Sequence, residues 1–235
     1  MSTPQEHFQT LFTHLTLIQD DATRAAYTGF HMDHQELFLS MPASVKQHHS
    51  WPGGYAVHIS EVVTNLMIMV KAMPLPPLTF TNDDAICSAY VHDLDKLLYR
   101  YELDPEKPTP PQAKYAASLG IEEDLLETKS TISAKIDAAK NGTILDMSMV
   151  PRHTYRKDAM TFDDGAIVMK LCADHGLKLS EIALHAVCVH HGGFSALAND
   201  RGSRMQMKDL GVLIHAADLM SASVQRGEVL TTHNL

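Results

Sequence analysis

Apolar residues in this chain return at intervals of three and four far more often than they alternate, which is the pattern of helices and not of strands. Residues 4–20 and 21–40 read as two amphipathic helices, the second opening behind Asp20-Asp21 as a cap. Pro52-Gly53-Gly54 breaks the chain sharply. From Tyr55 to about Met73, Val57, Val62, Leu66 and Met69 keep helical spacing until Pro74, Pro76 and Pro77 end the helix. Asn82-Asp83-Asp84 caps the next helix, which runs to about Tyr101. Asp104 to Gln112 holds Pro105, Pro108, Pro110 and Pro111 and reads as a loop. Helices follow over 112–119 and 121–140, closed by Asn141-Gly142. Residues 143–160 fit a short hairpin or an irregular loop. Helices resume over about 162–175, 179–191 and 206–226, with Gly192-Gly193 and Gly202 in the loop between the last two. No repeat, heptad or convincing sheet is visible. The expected fold class is therefore all-α, a compact multi-helix bundle with a helical and loop insertion. It forms one domain over 1–235, with its core at about 50–102 and 160–226, N-terminal helices at 4–40 and the insertion at about 104–160.

A length of 235 residues suits one well-buried domain. No apolar run reaches the roughly 18 residues of a membrane span, and MSTPQEHF has neither the basic nor the apolar region of a secretory signal. Cys87, Cys172 and Cys188 lie far apart, form no CxxC pair and are odd in number. The expectation is a cytoplasmic protein without a disulfide framework. The formal net charge of −9 speaks against a broad nucleic-acid face, though a small basic pocket can survive inside an acidic surface. The outlying count is 15 histidines, since neutral imidazole is the commonest metal ligand.

Most of these histidines read as ordinary core or surface residues: His7, His14, His31, His34, His48, His49, His175 and His233. Four other places put His or Asp where a metal could be held. His58 stands one turn into the third helix, just behind Gly53-Gly54. His92-Asp93 lies in AYVHDLDK, after the apolar Ala85, Ile86, Ala89, Tyr90 and Val91. His190-His191 ends AVCVHH, where a helix end would frame only one of the two inward. Asp218 lies in LIHAADLM, with His215 three residues earlier. A carboxylate in such apolar surroundings is costly unless paired or bound to a cation, and a bundle core is a common place to gather ligands from facing helices.

In this order and context the sequence resembles the HD-domain metal-dependent phosphohydrolases. Their signature of His, then His-Asp, then Asp on an all-α bundle maps onto His58, His92-Asp93 and Asp218. GGYAVHISEVV is similar to the family's Gly-Gly helix start, VHDLDK to its His-Asp helix, LSEIALHAVCVHHGGF to a helix ending in His before Gly-Gly, and LIHAADLMSA to its final helix. The resemblance spans about 50–102 and 160–225, and leaves out 1–45 and the insertion. It implies one divalent ion held by His58, His92, Asp93 and Asp218. Mixed nitrogen and oxygen ligation suits Mn²⁺, Fe²⁺, Co²⁺, Ni²⁺ or Zn²⁺, and Mg²⁺ less well. It further implies phosphoester or phosphoanhydride cleavage by metal-activated water. Asp93, Lys96 and His190 would be catalytic, with Asp93 orienting the water and Lys96 neutralising phosphate. Lys96, His191, His215, Arg152 and Arg156 would contact substrate, the arginines from the cluster Arg152, His153, Arg156, Lys157. Glu61 would orient a ligand or a water, and Asp95 is either a support for the site or solvent-exposed. Tyr99, Arg100 and Tyr101 are either pocket wall or surface.

The sequence also departs from the family. Asp164-Gly165 stands where several subfamilies place His-Gly, which leaves the second metal open. The elements that mark alarmone and cyclic-dinucleotide hydrolases are missing. The expected substrate is a small phosphorylated molecule of nucleotide type, with short nucleic acid an alternative, no membrane partner, and a homo-oligomer left open. The competing reading is a catalytically inactive HD module that binds a nucleotide or a partner and regulates it. A third, an oxidising di-iron centre, requires a fuller His set.

Overall fold

The computed structural model describes residues 2–45, 48–72, 78–103, 106–121, 128–142, 153–157, 159, 164–191 and 208–231. Helices dominate them: α1 (Pro4–Leu15), α2 (Asp21–Asp33), α3 (Gln35–Ser40), α4 (Gly54–Ala72), α5 (Asn82–Val91), α6 (Pro110–Ser118), α7 (Lys129–Asn141), α8 (Asp164–Asp174), α9 (Glu181–Val189) and α10 (Asp209–Thr231). The all-α class is as expected.

α4 is the centre of the bundle. Every residue from Gly54 to Ser60 is buried, as befits a helix surrounded by others. α1, α3, α5 and α10 pack on it, and α9 packs on α5, α8 and α10. The N-terminal helices belong to the same core: Phe8, Leu11, Leu15, Ile18, Tyr27 and Phe38 are buried in one cluster with Tyr55, Ile59, Tyr90 and Ile214. Ala116, Ile132 and Ile136 form a separate small cluster where α6 meets α7 in the insertion. No helix among the described residues is long and apolar enough to cross a membrane. All three cysteines are buried, and none forms a disulfide.

Several boundaries differ from the expected ones, each for a local reason. The helix expected over 21–40 is two, because the chain turns at His34 between α2 and α3. The helix expected to reach Tyr101 stops at Val91, and a π-helical turn over Lys96–Arg100 follows. The cap of α5 is Thr81, whose hydroxyl accepts from Asp84 N while the Asp84 carboxylate accepts from Thr81 N. Pro110 and Pro111 are not loop residues but the first turn of α6, where a missing N–H costs nothing. The sheet that the sequence did not reveal has two strands, β1 (Tyr101–Leu103) and β2 (His153–Tyr155), paired antiparallel with Tyr101 opposite Tyr155. Three-residue strands are too short to show an alternation, and they tie the end of the insertion to the π-helical turn. The predicted Arg152, Gly192-Gly193 and Gly202 lie outside the described residues.

Candidate metal centre

The site forms where α4, α5, α9 and α10 converge. Near the start of α4, the backbone places His58 one turn beyond Gly54. Gly54 itself is dictated by a close approach: a Cβ there would lie 2.1 Å from the main-chain oxygen of His49. Gly53 has φ +79°, and a Cβ on it would lie 2.7 Å from Pro4 Cβ. The His-Asp pair was expected inside a helix. His92 is instead the C-cap of α5 and Asp93 lies in the turn beyond it. His190 caps the C-terminus of α9 in the same manner. Asp218 projects from α10.

His58, His92, Asp93 and Asp218 each bring one ligand atom to within 4.8 Å of the others, the first three buried and Asp218 half-buried. His58 Nε2 lies 3.2 Å from Asp93 Oδ2 and 3.3 Å from Asp218 Oδ1. His92 Nε2 lies 3.4 Å from Asp93 Oδ2 and 4.0 Å from Asp218 Oδ1. Lys96 Nζ stands 2.5 Å from Asp93 Oδ2. His190 Nε2 is 4.0 Å from Asp93 Oδ1. Asp93, His190 and His191 make a second group of the same tightness that shares Asp93. Only one of the two adjacent histidines was expected to face inward. Both are brought near Asp93 because α9 has ended at Val189, and helical spacing no longer separates their directions.

The donor chemistry of this set fits a divalent cation. His92 Nδ1 donates to Ala89 O at 2.7 Å and His190 Nδ1 to Val187 O at 2.6 Å. A carbonyl can only accept, so each ring keeps its lone pair on Nε2. Both Nε2 atoms are buried without a hydrogen-bond partner, an arrangement that is costly unless a cation meets them. The charges point the same way. Burial disfavours charge on His58 and His190 and lowers both pKa values well below the ordinary imidazole range. For His92, burial is outweighed by Asp93 and Asp218, which raise its pKa. For Asp93, burial is outweighed by Lys96 and His92, and its pKa lies well below the usual carboxylate range. Burial also works against charge on Lys96, yet Asp93 raises its pKa above the ordinary value. The two carboxylates thus hold a field that calls for positive charge at the place where the Nε2 atoms of His58 and His92 meet them.

The remaining predicted residues fall at varied distances from this centre. His215 Nδ1 donates to His190 O at 2.6 Å, so it holds the end of α9. Asp95 is buried and pairs with Arg100 Nε at 2.7 Å. Arg156 is half-buried, its guanidinium 5.9 Å from the Tyr99 ring centre, and Lys157 lies 3.8 Å from Glu106 on the surface. The side chain of Asp164 lies outside the described residues, like Arg152.

Three residues near the centre were not singled out from the sequence. His48 and His49 form with His58 a further group of closely spaced nitrogens. Ser221 Oγ lies 3.0 Å from His58 Nδ1. A signal for the first two was present in the placement of the His pair directly before Trp51-Pro52-Gly53-Gly54. No protein-family model matches this chain, and neither a curated protein nor a solved structure matches it at a significant level.

Proposed function

We propose that this protein is an HD-type metal-dependent phosphohydrolase that cleaves a phosphoester or phosphoanhydride bond of a small nucleotide-type substrate. The observation that carries the reading is the convergence of His58, His92, Asp93 and Asp218, with the buried Nε2 of His92 left without a hydrogen bond. Those four residues would hold the ion. A divalent metal bound there supplies Lewis acidity toward a phosphoryl oxygen and makes a water acidic enough to react near neutral pH.

The chain's own residues supply the rest. Asp93, ionised and buried, orients the attacking water and accepts its hydrogen bond. Lys96, already 2.5 Å from Asp93 Oδ2, offers Nζ to a phosphate oxygen when substrate enters. His190 presents its Nε2 lone pair on the far side of Asp93, toward a second ion or the phosphate. His191 joins it there, and Arg156 meets the charge of the substrate from the surface. The acidic surface favours a small soluble substrate over a polymer.

The test is incubation of the purified protein with Mn²⁺ and a panel of nucleoside mono-, di- and triphosphates, cyclic nucleotides and short oligonucleotides. It is run beside His92→Ala/Asp93→Ala and the milder Asp218→Asn, whose folds are checked by near-UV circular dichroism. Product that requires metal and vanishes in the variants supports the reading. A variant with full activity overturns the metal assignment. No product from metal-loaded wild type overturns the hydrolase and leaves a nucleotide-binding module.

A further inference from the structure

Four side chains behind the metal centre form a continuous chain of hydrogen bonds, and the count of protons in it bears on the tautomer of His58, whose Nε2 faces Asp93 Oδ2. Ser221 Oγ donates to Glu61 Oε2 at 2.7 Å. His58 Nδ1 lies 3.0 Å from the same hydroxyl. His49 Nε2 lies 3.1 Å from the same Glu61 oxygen. Burial raises the pKa of Glu61, but its hydrogen bonds to His49 and Ser221 outweigh that and hold it low. An ionised carboxylate only accepts, and a serine has one proton to give. That proton goes to Glu61, so the hydroxyl accepts from His58 and the His58 proton sits on Nδ1. The opposite tautomer would ask one serine proton to serve His58 and Glu61 at once.

The far end of the chain is a built feature as well. His49 is fully buried and adopts φ +51°, a left-handed conformation that costs a non-glycine residue energy. Its main-chain oxygen accepts from Ala43 N at 3.0 Å and occupies the space that a side chain on residue 54 would need. The backbone is held in this shape while the ring reaches Glu61 and lies 3.1 Å from His48 through Nδ1.

We propose that Glu61 and Ser221 are positioning residues that hold the His58 imidazole with its proton on Nδ1 and its Nε2 lone pair turned to the metal centre, with His49 anchoring Glu61. The proposal rests on the metal reading of the site and deepens it. Its consequence is concrete. Nε2 faces Asp93 Oδ2 at 3.2 Å and Asp218 Oδ1 at 3.3 Å. A lone pair against two carboxylate oxygens repels them, and a divalent ion among them removes the conflict. The relay therefore readies the apo site for a cation, where the other tautomer would close it by donating to Asp93.

The experiment uses ¹⁵N-histidine-labelled full-length protein, stripped of metal with chelator, at pH 7.5. Two-bond ¹H–¹⁵N spectra report which ring nitrogen of His58 carries the proton, with His58→Gln assigning the signal. Mn²⁺ affinity is then measured by titration for wild type, Ser221→Ala and Ser221→Thr. The expected result is a protonated Nδ1 in wild type and in Ser221→Thr. In Ser221→Ala the expected result is a mixed or inverted tautomer, with Mn²⁺ binding weakened roughly 10- to 100-fold. Wild-type His58 protonated on Nε2 overturns the proposal. So does a Ser221→Ala variant with unchanged tautomer or unchanged Mn²⁺ affinity. Wild type that binds no Mn²⁺ overturns the metal reading and with it the purpose of the relay, whereas loss of hydrolysis alone bears only on the proposed reaction.

Discussion

His31 supplies a stability term whose size and sign follow from its surroundings. The side chain is fully buried between α1 and α5. Its Nε2 lies 3.0 Å from Phe8 O, and its Nδ1 lies 3.1 Å from Tyr90 Oη. The carbonyl can only accept, so Nε2 carries the proton and Nδ1 accepts from the tyrosine. The ring stacks on Phe8 with centroids 3.8 Å apart and meets Phe38 edge-on at 4.9 Å. A neutral imidazole is satisfied at both nitrogens here, and a charged one is not welcome. Burial lowers the pKa from 6.5 to about 4.

The folded-state value lies below the unfolded one, so the unfolded chain takes up the proton first as the pH falls. The stability from the neutral ring is fully present above the unfolded pKa near 6.5 and is lost as the pH drops toward 4. A shift from 6.5 to about 4, at 1.36 kcal/mol per unit, amounts to about 3 kcal/mol. Most of that is gone by pH 4.5. Against a total of roughly 5–15 kcal/mol, this is a large share for one side chain. Urea unfolding of wild type and His31→Gln, at pH 7 and 4.5 with chelator present, isolates the term. Other buried histidines titrate in both proteins and cancel in the comparison. Wild type should lose about 2–3 kcal/mol more than the variant over that interval. Equal losses would refute a neutral, buried His31, whatever the absolute stabilities.

Three further outcomes follow from the site and its supports. Saturating Mn²⁺ at about 100 times its Kd should stabilise the fold by roughly 2.7 kcal/mol and raise the melting temperature by about 5–10 °C; a melting curve unmoved by metal or chelator removes the centre. Asp93→Asn should abolish that metal-induced rise and lower the metal-free melting temperature. It leaves Lys96 without its buried counter-charge, at a cost of about 3 kcal/mol, and a melt equal to wild type in chelator counts against the burial of the pair. Gly54→Ala should cost several kcal/mol by thermal melt, about the size of the larger core defects, since the methyl would collide with His49 O at 2.1 Å; a neutral substitution would show that the loop before α4 shifts freely.

The parts of this molecule that were legible in the sequence are those governed by local rules. Helical spacing and proline placement locate α4 and α8 to within a few residues, because such helices are set by their own side chains and caps. His58, His92, Asp93 and Asp218 stood out because an ionisable group amid apolar neighbours signals a partner. What was illegible depends on contacts between distant segments. β1 and β2 are about fifty residues apart and three residues long, so nothing local announces their pairing. Asp95 could be read as solvent-exposed until Arg100 folded back on it through a π-helical turn. Ser221 is one small polar residue near the middle of a long helix, and only its position beside Glu61 and His58 gives it a role. His49 shows the boundary between the two cases. Its neighbours His48 and Gly53-Gly54 are conspicuous in sequence, yet its left-handed backbone and its bond to Glu61 exist only once α4 is in place. A ligand announces itself by being out of place among apolar residues. The residues that orient a ligand are chemically unremarkable, and they become visible only when protons and lone pairs are counted across the folded site.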